Sequence, residues 1–164
     1  MRLTLLALLL TLTLVKTDAR AAADVPKTAG LYLDLEGVTG DSDDADFKGQ
    51  IELTSFSLAG QRSEKEGDAA KLADFFVLKA LDVASPKLLA ALSNGQKFAK
   101  ATVTVRGGKE PRTYMKYQFT DVQVSRLNQV VSGGGQEELN FRYASVKITY
   151  VKGDGKTVDG EAKR

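Results

Sequence analysis

Cysteine and histidine are both absent from the 164 residues. Without cysteine there is no disulfide framework and no thiolate chemistry. Without histidine the chain lacks the commonest general base and the commonest transition-metal ligand. A long apolar run is missing too. Leu3 to Val15 is apolar but for threonines, yet thirteen residues fall short of the ~20 that a membrane-spanning helix needs. Neither charge sign dominates. Residues 1–23 hold three of the 23 basic and one of the 21 acidic residues, so residues 24–164 are neutral. A neutral chain with interspersed signs argues against a nucleic-acid or anionic-membrane partner. What remains is an ordinary globular balance, 43% apolar and 27% charged, in a length that suits one domain with a sizeable core.

The first positive signal is at the start. Arg2, the apolar run and the small-x-small patterns Ala19-Arg20-Ala21 and Ala21-Ala22-Ala23 read as a secretory signal peptide over residues 1–23. Lys16 and Arg20, between the run and the cleavage site, are unusual there. Cleavage predicts a secreted or periplasmic protein; an unused signal would leave it in the cytoplasm.

Further on, two-residue alternation dominates. Leu31, Leu33 and Leu35 alternate with Tyr32, Asp34 and Glu36, as in a half-buried strand. Residues 50–58 form a second strand whose apolar face changes near Thr54-Ser55, which predicts a bulge or bend. Residues 59–71 are polar, hence an exposed loop. Residues 74–81, apolar on both faces, read as a short buried strand. Ser85 as N-cap, Pro86 at the first helical position, a stripe of Leu88, Leu89 and Leu92, and Asn94-Gly95 as terminator predict one short helix over 85–94. In residues 97–105, Ala99, Ala101, Val103 and Val105 share one strand face. Residues 153–164, rich in Gly, Lys and Asp, read as a flexible charged tail.

The segments around 115–124 and 139–150 say most. Met115, Tyr117 and Phe119 are apolar at odd positions, then Val122 and Val124 at even ones; the slip falls at Thr120-Asp121. Leu139, Phe141 and Tyr143 are odd, then Val146, Ile148 and Tyr150 even; this slip falls at Ala144-Ser145. Folding the chain at Ser132-Gly133 pairs 119 with 146, 117 with 148, 115 with 150, 122 with 143 and 124 with 141. Every pair is apolar and the slips oppose each other. A one-residue error would expose the whole set. Paired slips bend a hairpin as at a barrel corner. The fold class expected is mainly β, a single antiparallel β-barrel over residues 24–152 with one short α-helix.

No catalytic constellation emerges. Asp41 to Asp46 has carboxylates at positions one and three of a calcium loop, with Glu52 at twelve. Ala45 and Asp46 occupy its fifth and sixth positions, where a ligand and a glycine are needed, so a solvated acidic loop is the better reading. Gly133-Gly134-Gly135 opens no helix and is a hairpin turn, not a phosphate loop. Glu64, Glu66, Asp68 and Asp74 offer carboxylates for glycoside chemistry, but nothing places two across a cleft. Tyr114, Tyr117, Phe119, Phe141, Tyr143 and Tyr150 could stack bases or sugars, yet most fit the apolar face. No catalytic residue, cofactor site or metal site is expected.

Phe76 to Leu88 (FVLKALDVASPKL) resembles the strand–Asp–x–x–Ser-Pro–helix signature of the haemolysin co-regulated protein (Hcp) family. Tyr117 to Val124, the glycine-rich turn and Glu138 to Tyr150 are similar to that family as well, as are Leu31 to Gly40 and Ile51 to Ser57. The resemblance covers residues 31–152. It implies a barrel with one helix that assembles into hexameric rings. The rings stack into the hollow tube of the type VI secretion system, which a spike protein (VgrG) caps, a contractile sheath surrounds, and effector proteins travel through. It brings no catalytic residues. The loop after the second strand contributes to ring stacking in the family, which points here to Arg62, Glu64, Lys65 and Glu66. Three features depart from the family: the signal peptide, Leu58 where a tryptophan often stands, and a charged tail in place of a further aromatic-containing segment. The first leaves open a second reading, an exported binding module of the same fold acting outside the secretion apparatus.

Overall fold

The computed structural model describes residues 29–62, 64, 70–107 and 112–164. Residues 1–23 therefore lie outside the described residues. The element order is β1 (Gly30–Leu35), β2 (Ile51–Leu53), β3 (Ser55–Ser57), β4 (Gly60–Gln61), β5 (Lys71–Leu72), β6 (Phe75–Ala80), α1 (Ser85–Asn94), β7 (Lys97–Gly107), β8 (Arg112–Val130), β9 (Gln136–Arg142), β10 (Ser145–Val151) and β11 (Thr157–Lys163). Pro86 starts the helix, and Gly95 ends it in the left-handed region at φ 68°, its N–H donating to Ala91 O.

The main sheet runs β2-β1-β7-β8-β9-β6-β3, with every pairing antiparallel. Its two ends are consecutive pieces of one segment. β2 pairs with β1, β3 pairs with β6, and Thr54 N–H between them donates to Leu78 O at 2.7 Å. That continuity rolls the sheet into a barrel. The change of face at Thr54-Ser55, read from the sequence as a bend, is the point where the chain crosses from one edge to the other.

The expected hairpin register is present. Phe119 opposes Val146, Tyr117 opposes Ile148, Met115 opposes Tyr150, and Val124 opposes Phe141. β8 spans the bend; its first half pairs with β10 and its second with β9. Asp121 sits at the corner with φ 50°, a left-handed conformation that a short polar side chain tolerates better than most. The bend extends to β7, where Phe98 and Ala101 are both buried while Ala99 and Lys100 between them are exposed. A second irregularity between Val124 and Arg126 skips Ser125. Beyond it, Gly133, Gly134 and Gly135 all have positive φ, which makes the turn a task for glycine.

The core fills the corner. Phe75 stacks on Phe119 at 4.2 Å and on Phe141 at 4.8 Å, and Tyr143 meets Phe119 edge-on at 4.9 Å. Each ring taken from water contributes roughly 1.5–3 kcal/mol, before the extra gained from ring geometry.

Several expectations change. Residues 153–164 are not a featureless tail: Thr157–Lys163 pairs along β10 from Ser145↔Lys163 to Val151↔Thr157. The helix cap is Ala84, and the Ser85 hydroxyl points into the interior. Leu89 lies outside the expected stripe, being half exposed, and Ala91 takes its place beside Leu88. β6 alternates instead of burying both faces, with Phe75 and Val77 in the core. In β7, Ala99 faces solvent and Phe98 is the core residue. The 59–71 loop contains the β4–β5 pair.

Candidate functional site

Among the described residues, charged side chains are buried at two places and half-buried at a third. The first is the helix start. Lys79 and Glu137 are both fully buried. Lys79 Nζ donates to Glu137 Oε2 at 2.8 Å, to Ser85 Oγ at 3.1 Å and to Ala80 O at 2.8 Å, and pairs with Asp82 at 2.7 Å. Ser85 Oγ donates to Glu137 Oε2 at 3.0 Å and accepts from Asp82 N–H at 3.2 Å. Gln129 Nε2 donates to Glu137 Oε1 at 2.7 Å. The spacing Asp82-x-x-Ser85-Pro86 thus has a physical reason: it closes a hydrogen-bonded network around a buried ion pair. Every member already holds a partner inside the protein, so the network locks the helix to the barrel and presents nothing to a substrate.

The second place is the acidic loop over 41–46. Contrary to the solvated reading, Asp44 is fully buried. Its Oδ1 accepts from Arg106 at 3.0 Å and from Asp46 N–H at 3.0 Å, and Tyr32 donates to its Oδ2 at 2.9 Å. Arg106 also pairs with Asp46 at 2.7 Å and lies 5.5 Å from the Phe47 ring, which stacks on Tyr32 at 4.1 Å. The loop folds over part of the outer face of β1 and β7, where Tyr32, Thr104 and Arg106 are buried while Asp34 stays exposed. Among the described residues no group of carboxylates is arranged to hold a metal ion.

The third place is Asp74, hydrogen-bonded by Ser125 and by Arg164. Burial pushes its carboxyl up, but the Ser125 hydroxyl and the Arg164 guanidinium outweigh that and hold it below the usual range. A glycosidase acid needs the opposite shift. Of the other carboxylates considered, Glu64 is exposed, and Glu66 and Asp68 lie outside the described residues. Tyr143, beside Asp74 and Arg164, is raised by burial. Tyr117, Phe119, Phe141 and Tyr143 are packed in one ring cluster with Phe56 and Phe75, whereas Tyr150 is 43% exposed.

The assembly candidates are placed in part. Arg62 and Glu64 are both exposed, beyond the β4–β5 pair on the connection between its strands. Lys65 and Glu66 lie outside the described residues. Sequence reasoning missed a second surface. The core face of β8 and β10 continues past its cover. Phe119 and Val146 are buried, Tyr117, Ile148 and Met115 half-buried, and Tyr150 and Val158 at the end of the row are open to solvent. The signal was in residues 157–163, where Thr, Asp, Glu and Lys alternate with Val158, Gly160 and Ala162.

Comparison with known proteins agrees with this geometry. The family model described as "Type VI secretion system effector, Hcp" matches residues 32–150. The chain is 30% identical over 97 residues to protein Hcp1 of Pseudomonas aeruginosa, a match over 55% of this chain and 60% of that protein, so it spans less than two thirds of that relative's length. It is similar in structure to Hcp1 from Salmonella typhimurium (TM-score 0.75, 24% identity), covering 84% of this chain and 95% of that one. It is similar also to a type VI secretion system effector from Yersinia pestis (TM-score 0.74, 24% identity), covering 82% of this chain and 99% of that one.

Proposed function

Because the chain belongs to the Hcp family of type VI secretion tube-like proteins, we propose that it is a structural subunit without enzymatic activity. In this reading it forms hexameric rings that stack into a hollow tube for delivering effector proteins. The observation that carries the reading is coverage: this barrel accounts for 95% and 99% of two solved chains of the family, so the match is to a whole subunit. The internal partners of Lys79, Asp44 and Asp74 support it, since among the described residues they leave no positioned acid–base pair. Arg62 and Glu64, with Lys65 and Glu66, are the stacking contacts. The spike protein VgrG, the sheath and effectors are the partners such a tube requires.

The test is the assembly state. Light scattering and negative-stain imaging of the purified chain should show rings; a strict monomer with no tendency to stack would sink the proposal. Residues 1–23 favour a second reading, in which export places the same fold outside the apparatus as a binding module. Cell fractionation with N-terminal sequencing separates the two. A cleaved periplasmic or secreted form supports the module, and an uncleaved cytoplasmic form supports the tube.

A further inference from the structure

The strand β11 is exposed along its whole length, yet its sequence has two faces. Thr157, Asp159, Glu161 and Lys163 point outward, where Asp159 pairs with Lys147 at 3.0 Å. Val158, Gly160 and Ala162 lie on the face shared with Tyr150, Ile148 and Val146. A strand that met water on both sides would have no reason to keep this alternation. Among the described residues nothing covers Tyr150 and Val158, although their face runs through half-buried Met115 to the core.

A second exposed apolar group lies at the other end of β8. Val131 is 82% exposed, Val130 47% and Val83 61%. Val83 belongs to the same end, because Leu81 N–H donates to Gly135 O and the helix start is tied to Gln129 through Glu137. The rims of the two patches carry opposite charge. Beside Tyr150 and Val158 are Arg112, which donates to Val151 O and Lys152 O, and the turn lysines Lys152 and Lys156; the acids nearby are Asp154, paired with Lys156, and Asp159, paired with Lys147. Beside Val83 is an open pocket of about 280 Å³ lined by Asp41, Asp43, Glu52 and Asp82. Val83 N–H donates to Asp41 at 3.2 Å.

We infer that these two patches bind each other between copies of the chain: the basic, Tyr150–Val158 shelf of one copy seats the acidic, valine-bearing end of the next. Two different patches make a heterologous contact, which closes into a ring when the rotation between neighbours allows. An apolar contact suits the permanent bond within a ring, and the polar β4–β5 connection suits stacking between rings. The inference rests on the proposed self-assembly and adds which surfaces perform it. Gly160 and Ala162 have a role here, since small side chains let the neighbour approach the sheet.

The test uses two double variants at exposed positions. One is Tyr150→Glu with Val158→Glu, which sets like charge against the acidic end; the other is Val83→Lys with Val131→Lys, which sets like charge against the basic shelf. Sedimentation velocity on the full chain should show rings for the parent and loss to monomer for each variant, with an unchanged β-sheet circular dichroism spectrum as the sign of an intact fold. An equal mixture of the two should restore association to a species of at least twice the monomer mass, because the intact shelf of one variant meets the intact end of the other. Rings from either variant, or a mixture that stays monomeric, would overturn the inference while leaving self-assembly standing. A parent that never assembles would instead remove the proposed function beneath it.

Discussion

Replacing Lys79 with Met tests whether the helix signature is structural. Lys79 and Glu137 are both fully buried, and Lys79 donates to Glu137, Ser85 and Ala80 while pairing with Asp82. Met preserves most of the side-chain volume but strands the Glu137 carboxylate with two neutral donors, Ser85 and Gln129. Removing one partner of a buried ion pair costs about 3–5 kcal/mol. At ~2–4 °C per kcal/mol for a domain near this size, the midpoint should fall by roughly 6–20 °C. The double variant Lys79→Met/Glu137→Leu removes both charges. It orphans the Ser85 hydroxyl and the Gln129 amide, at ~1 kcal/mol or more each, and leaves Asp82, whose side chain is 10% exposed, next to water. It should therefore cost less than the single variant. Urea unfolding of the parent, Lys79→Met, Glu137→Leu and the double variant, read at constant m-value, gives the four free energies. A single variant within ~1 kcal/mol of the parent, or a double that costs the sum of both singles, would refute the buried-pair account.

Asp121→Ala should cost ~1 kcal/mol through the φ 50° corner, and Asp121→Gly should be neutral or stabilising, both read from urea midpoints. Arg106→Lys keeps the charge but loses the fork that reaches Asp44 and Asp46 together; amide exchange over 41–50 should speed up while β8 and β9 keep their protection. Asp74 has a carboxyl held below its unfolded value of about 3.8, so its stabilising effect is complete above that value and disappears as pH falls through the lower folded value. Asp74→Asn should therefore flatten the parent's loss of stability below about pH 4 in thermal unfolding, and an unaltered acid limb would remove Asp74 as its source.

How much of this was legible in the sequence depends on how far each signal had to reach. The β8–β9–β10 register could be read because both strands carry the same one-residue slip, at Thr120-Asp121 and at Ala144-Ser145, and only one pairing superposes them. The helix could be read from Ser85-Pro86 and Gly95, whose effects are local. The role of Ser85 could not, because its partner Glu137 is 52 residues away and an N-cap is the commoner use of a serine there. Asp44 fails for the same reason: amid Asp41, Asp43 and Asp46 it looks solvated, and its burial is made tolerable by Arg106, 62 residues on, together with the Tyr32 hydroxyl. β11 was obscured differently. Its composition is that of a tail, and its alternation is visible only against Ser145 to Val151, the strand that orders it. That contrast bears on the assembly surface. Hydrophobic content marks a core strand strongly, but a strand whose apolar face awaits a neighbouring subunit must remain soluble alone. Val158 among glycine, alanine and charges meets both demands, and so the residues best suited to a subunit contact are those that composition ranks lowest.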